Sequence, residues 1–257
     1  MVIAAGGLPD AVPALLCLTV LLLSTAGSAM LNSLFDLALD RNMTRLAGRV
    51  EALDRVTAPR LLLAALSCIA LALLLALTRL NLLTFLLTLA AILLYALLYT
   101  LRLKRRSPWG AIPGGLPGAL PVLIGQAAVT GAIDTGGLLL CAVVFLWQPP
   151  HFWLLALRWR DDYGTAGVPV LPVVWGERYT RFLILLYTVS LLPATLALTL
   201  FGTCSGLFAL WGGLAWCFFV IASYRLAVRS RRYDRAFRAS IVYLAVLLVG
   251  VIIDISR

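Results

Sequence analysis

The sequence predicts an all-α, polytopic integral membrane bundle of about eight transmembrane helices. Three observations carry that expectation. Hydrophobic residues make up 62% of the 257 and charged ones only 12%, far outside the usage of soluble globular chains. The apolar residues gather in eight stretches, at about 11–31, 60–78, 82–101, 111–130, 136–156, 180–202, 206–224 and 239–255, each near the ~20 residues a helix needs to cross a bilayer. Nineteen of the 21 Lys and Arg lie in the polar loops after the first, third, fifth and seventh stretches, leaving only Arg79 and Arg257 for the opposite side. By the positive-inside rule those loops face the cytoplasm and both termini lie outside. The net charge of +10 is thus topological, and no nucleic-acid partner is expected.

The elements follow in order. The first stretch has no basic segment ahead of it and carries Asp10, so it reads as a helix rather than a cleaved signal. It ends in Asn32, Asp36 and Asp40. The third stretch ends in the basic run Arg102, Lys104, Arg105 and Arg106. The fourth is the weakest, interrupted by Pro113, Gly114, Gly115, Pro117, Gly118 and Pro121. Such a helix is tolerated only where it faces protein or a cavity. The fifth carries Pro149-Pro150 just before His151 and leads into Asp161 and Asp162. Prolines there remove backbone donors and bend a helix, which suits a cavity wall. The last three stretches carry no polar motif, and the basic loop from Arg225 to Arg238 reads as a lipid contact. The two acidic clusters, each after a span and before a polar loop, suggest a weak internal repeat. The five cysteines are scattered singly through apolar segments as small hydrophobes, and a single His excludes a multi-histidine metal site. Residues 1–257 are expected to form one membrane-embedded domain.

The spacing of Asn32, Asp36 and Asp40 points to chemistry. Positions four apart share one face of a helix, so an amide and two carboxylates would stack beside a bilayer that penalises charge. Stacked carboxylates repel unless a cation sits between them, and oxygen ligands suit Mg²⁺, which takes one or two carboxylates together with substrate phosphates. Taken alone, such a pair is equally well read as solvated charge where a helix leaves the membrane. The run Arg102 to Arg106, taken alone, is a topology anchor. Beside two acidic clusters on the same face it becomes half of a diphosphate clamp. A diphosphate held in an apolar bundle implies a prenyl tail. No glycine-rich phosphate loop is present to suggest a nucleotide.

Several strings resemble the UbiA-type intramembrane prenyltransferases, and most closely their protoheme IX farnesyltransferase (heme O synthase) branch. They are Asn32-x3-Asp36-x3-Asp40-Arg41-x-Met43-x-Arg45, Tyr99 to Gly110, Gly118-Ala119-Leu120-Pro121, Phe145-Leu146-Trp147-Gln148-x-Pro150-His151-Phe152, and Arg160-Asp161-Asp162-Tyr163 through Val174. The resemblance implies transfer of a farnesyl group from farnesyl diphosphate to a vinyl group of heme B, giving heme O. It further implies that Asn32, Asp36, Asp40 and Asp162 hold Mg²⁺ and diphosphate, and that Lys104, Arg105 and Arg106 neutralise the departing diphosphate. Asp36, Asp40, Asp162 and Lys104 are the expected catalytic groups; Arg45, Tyr99, Asp161 and Tyr163 join the substrate-binding set. His151 would bind substrate, by axial contact with heme iron or by hydrogen bonding elsewhere. Tyr95, Tyr99, Trp147 and Trp153 are candidate cavity aromatics, with packing or an interfacial belt the commoner role for any one of them. The family has nine spans, its first bearing a Lys-Pro pair; eight are counted here, so that first helix is expected to be missing. Two other functions fit the same bundle: prenylation of a quinone or chlorophyll precursor, and a non-catalytic heme-handling protein. A heme A synthase or a terminal oxidase assembly is the protein partner the resemblance suggests.

Overall fold

The computed structural model describes all 257 residues. Eight helices are long and apolar enough to cross a membrane: α1 (Ala11–Asp40), α2 (Ala58–Leu80), α3 (Leu82–Arg106), α4 (Ala111–Thr130), α5 (Thr135–Arg158), α6 (Gly176–Leu200), α7 (Gly206–Arg229) and α8 (Tyr233–Ile255). Their outer faces carry exposed leucines such as Leu15, Leu63, Leu66, Leu186 and Leu214, a surface stable only in lipid. The chain is an integral membrane protein.

Every expected span is present, and the differences lie at the ends. The first helix continues past its apolar stretch to Asp40, so the whole acidic stripe is helical. Polar caps start several helices: the Asn81 side chain accepts from Thr84 N at 2.9 Å, and that of Asp134 accepts from Gly137 N at 2.8 Å. Each supplies an acceptor to one of the unsatisfied N–H groups of a first turn.

The bundle has two halves. α1 packs on α2, α3 and α4, while α5 packs on α4, α6 and α8. α1 and α8 make no extended contact; the short N-terminal helix Val2–Ala5 touches α4, α5 and α8. The interrupted fourth span is the most buried of the eight. It is broken at Gly115, between Ala111–Gly114 and Leu116–Thr130. Protein on both sides is what lets so many prolines and glycines lie at membrane depth. In the second half, Trp147, Leu191, Phe208, Phe219, Tyr243 and Leu247 form the main core.

Two polar connections on one side complete the frame. Between α1 and α2 lies the helix Ala47–Asp54. Between α5 and α6 lie the helices Arg160–Thr165 and Leu171–Val174. Near its end α3 widens into a π-helix over Leu94–Leu103, an uncommon winding that frequently marks functional sites. It delivers Tyr95, Tyr99 and Thr100 to the bundle interior and Lys104 to its rim.

Candidate active site

The interior face of α1 is a single polar stripe. Ser24, Ser28, Asn32, Asp36 and Asp40 are all buried, and each lies four residues from the next. Ser24 and Ser28 line a cavity of about 390 Å³ together with Tyr95, Pro117, Gly118 and Gln148. Asn32, Asp36 and Asp40 continue the stripe, turn by turn, toward the polar connections. The cavity is mostly apolar in its lining and lies within the usual size range of small-molecule sites.

Asp36 is completely buried. Its Oδ2 accepts from Lys104 Nζ at 2.5 Å, and its Oδ1 lies 3.4 Å from the Arg105 guanidinium. Arg105 also donates to the Phe35 carbonyl at 2.6 Å. Asn32 Oδ1 lies 3.1 Å from the Thr100 hydroxyl. Asp40 is likewise buried, and its charged partner is Arg49, although neither carboxylate oxygen receives a well-aligned hydrogen bond. The expected charge stacking is therefore real, and each carboxylate meets a cation from a different segment.

The second acidic motif reaches the first through a loop. Asp162 accepts from the Thr44 hydroxyl at 2.8 Å and from the Arg45 backbone N–H at 3.0 Å. The Arg45 guanidinium donates to the Tyr163 hydroxyl at 3.0 Å and lies 5.0 Å from the centre of its ring. Tyr99, Lys104, Phe152 and Tyr163 close a crevice of about 10 Å³ between the two sides. Partial desolvation works against the ionised Asp162. The Arg45 and Thr44 donors and the Arg45 charge nonetheless hold its carboxyl below the ordinary value of 3.8. A depressed carboxyl contributes docking strength above that ordinary value and loses it as pH falls through the lower, folded one. Protection of the amides of residues 43–47 from exchange, taken relative to the free-chain rate at each pH, is therefore expected to hold from pH 7 down to 5 and to fall only below pH 3.8. Asp162→Asn should lower it throughout.

Glycines set two close approaches. A methyl group on Gly114 would overlap the Tyr99 ring, and one on Gly118 would overlap the Gln148 amide. Gly114→Ala is expected to push Tyr99 aside and to cost ~1–3 kcal/mol, the usual range for overpacking. Thermal unfolding in detergent measures it.

Several expected residues lie elsewhere than the sequence suggested. Asp36, Asp40 and Asp162 do not converge: no three acidic, histidine or cysteine side chains lie close enough to ligate one ion. The reason is that the short helix bearing Asp162 docks on the 44–45 loop and spends its carboxylate there. Arg106 and Asp161 are exposed and make no ion pair, because each points away from the neighbour that engages. Trp147 and Trp153 take the packing role, the commoner one for any such aromatic: Trp147 sits in the α5–α8 core, and Trp153 is fully buried edge-on to Tyr187 at 5.2 Å. Of the four aromatics, Tyr95 lines the cavity and Tyr99 the crevice. His151 Nδ1 lies 2.7 Å from Ser240 Oγ. Sequence reasoning missed Thr44, Arg49, Thr100, Gln148 and the two serines. The serines carried a readable signal, since the four-residue spacing extends back from Asn32; Arg49 and Thr44 carried none, because their partners are set by loop docking.

A family model described as the UbiA prenyltransferase family matches residues 1–247. The chain belongs to the UbiA prenyltransferase family. Within it, a protein named protoheme IX farnesyltransferase from Geotalea uraniireducens (strain Rf4) is 51% identical over 255 residues, covering 99% of this chain and 98% of its own. One of the same name from Symbiobacterium thermophilum is 40% identical over 261 residues, covering 100% and 87%. Among solved structures, a UbiA homolog from Archaeoglobus fulgidus bound to DMAPP and Mg²⁺ superposes with a TM-score of 0.74 at 16% identity, over 97% of this chain and 92% of that one. The apo structure of a UbiA homolog from Aeropyrum pernix K1 gives 0.76 at 19%, over 98% and 95%. This UbiA member therefore shares its helical architecture with distant homologs and most of its length with closer ones.

Proposed function

We propose that this prenyltransferase transfers the farnesyl group of farnesyl diphosphate to a vinyl group of heme B, giving heme O. The shared name of the two relatives described above, protoheme IX farnesyltransferase, points to the porphyrin acceptor and the farnesyl donor. The observation that carries the reading on this chain is Asp36, buried without exposure and paired to two cations, on the stripe that leads into the 390 Å³ cavity.

Mg²⁺ fits the donor set. Asp36, Asp40 and Asn32 are buried oxygen donors on one helix face, and Lys104, Arg105 and Arg49 balance the two carboxylates. These would hold the ion, while Asp162 fixes the loop bearing Thr44 and Arg45 beside them. When bound, Mg²⁺ neutralises charge on the departing diphosphate. The chain's own residues do the rest. Lys104 and Arg105 offer fixed cations where negative charge develops as the allylic C–O bond breaks. The apolar cavity would keep the farnesyl chain dry, and Tyr95, which lines it, is the aromatic placed to stabilise the allylic cation. The vinyl carbon of heme B then closes the C–C bond, and water adds to the resulting cation with loss of a proton. Residues 1–257 act as one domain, with the acidic motifs on the cytoplasmic side of a bacterial inner membrane and both termini outside. A heme A synthase or terminal oxidase assembly enters as a partner on the chemistry of the product alone.

The test is direct. Purified protein incubated with heme B, farnesyl diphosphate and Mg²⁺ is expected to yield heme O by mass. Product from a hydroxybenzoate or quinone precursor, with none from heme, would move the substrate assignment. Heme binding without turnover would make the protein a carrier.

A further inference from the structure

The chain has a single histidine, and its surroundings determine which nitrogen carries the proton. Ser240 Oγ lies 2.6 Å from the Phe237 carbonyl and 2.7 Å from His151 Nδ1. A hydroxyl has one proton and can accept twice. The carbonyl brings no proton, so at 2.6 Å the serine proton must lie on that line. The contact with Nδ1 needs a proton of its own, and only the ring can supply it. His151 is therefore an Nδ1–H donor to Ser240, and in the neutral ring Nε2 holds the free lone pair. Nε2 makes no hydrogen bond within the chain.

The ring is also clamped. Trp147 stacks on one face, 4.2 Å between centres and 22° between planes; Phe237 stacks on the other at 4.4 Å and 26°. Trp147 is itself pinned by its indole N–H to the Ser240 carbonyl at 2.9 Å. One residue of α8 thus orients both aromatic side chains of α5, through its backbone and its hydroxyl. Gln148, which lines the cavity, lies three residues before His151 on the same helix and so within one turn of it. No carboxylate pairs with the ring.

We propose that Ser240 is a positioning residue that holds His151 with Nε2 as the iron-ligating nitrogen for the porphyrin substrate. This rests on heme B being the acceptor. A ligating imidazole whose other N–H is hydrogen-bonded has a settled tautomer and orientation and a more basic ligating nitrogen. A ring already immobilised between two aromatics has little freedom left to lose on binding. Coordination there would fix the macrocycle by its centre and so set the distance of its edge from the farnesyl cation.

With one histidine, a tag-free protein labelled with ¹⁵N-histidine gives one pair of ring signals. Without heme, wild type is expected to show the Nδ1–H tautomer, Ser240→Ala a mixture or the Nε2–H form, and Ser240→Thr the wild-type pattern. Heme B titration should give a nitrogen-ligated spectrum in wild type. That spectrum should be lost in His151→Ala and restored by added imidazole. Affinity should fall about 10-fold or more in Ser240→Ala, as for other groups behind a ligating histidine. An Nε2–H wild type, or a heme spectrum and affinity unchanged in both Ser240→Ala and His151→Ala, would overturn the assignment. Wild type that holds the Nδ1–H tautomer yet binds no heme would instead overturn heme B as substrate, and the iron role with it.

Discussion

Asp36→Asn is expected to lower heme O formation by roughly 10³-fold, the scale seen when a group that stabilises transition-state charge is removed. The substitution keeps the side chain's size and removes only its charge. Asp36 is fully buried and sits between Lys104 and Arg105, so no solvent charge can replace it. Hydrolysis of farnesyl diphosphate without acceptor should fall in parallel, because ionisation of the allylic bond is the step that needs the metal and its ligand. Asp161→Asn is the control: that carboxylate is exposed and unpaired, and the rate should be unchanged. Mass analysis of heme O and phosphate release measure the two activities. Near-wild-type turnover in Asp36→Asn would remove the metal assignment.

Lys104→Met has the second-largest expected effect, and it acts twice. It withdraws the nearest fixed cation from the diphosphate, for a rate loss of about 10²-fold. It also leaves Asp36 buried with only Arg105 at 3.4 Å. Breaking one side of a buried pair typically costs ~3–5 kcal/mol, and the Lys104 side chain retains 14% exposure, which favours the low end. The two effects separate in a double-variant cycle. Asp36→Asn combined with Lys104→Met should recover much of the lost melting temperature and none of the activity. Arg106→Met, from the same basic run but exposed and unpaired, should change neither. Equal losses in Lys104→Met and Arg106→Met would mean that the run acts as a diffuse positive patch rather than through one lysine.

The difference between Lys104 and Arg106 shows where the sequence stops being informative. Both lie in one basic string, and composition treats them alike. Only the π-helical end of α3 decides that Lys104 turns inward to Asp36 while Arg106 turns to solvent. Asp161 and Asp162 differ for the same reason, since one residue along a short helix rotates a side chain by about 100°. Tyr95, Tyr99, Trp147 and Trp153 were not sorted into cavity and core by the sequence, because aromatic type is visible there and facing is not. His151 was visible as a lone intramembrane histidine, but its tautomer depends on Ser240, 89 residues away.

By itself the sequence determined the membrane class, the eight spans and the helical stripe of Asn32, Asp36 and Asp40. These depend on local quantities: the length of an apolar run against the thickness of a bilayer, and the 3.6-residue period of a helix. Which carboxylate meets which cation was decided only by tertiary structure. Arg49 reaches Asp40, Thr44 and Arg45 reach Asp162, and Lys104 reaches Asp36, through packing of segments whose separations in the chain bear no relation to their distances in space. Apolar patterning says that a helix has an inner face. The direction of each polar side chain at the rim is set by short-range hydrogen bonds that form only once the helices have assembled.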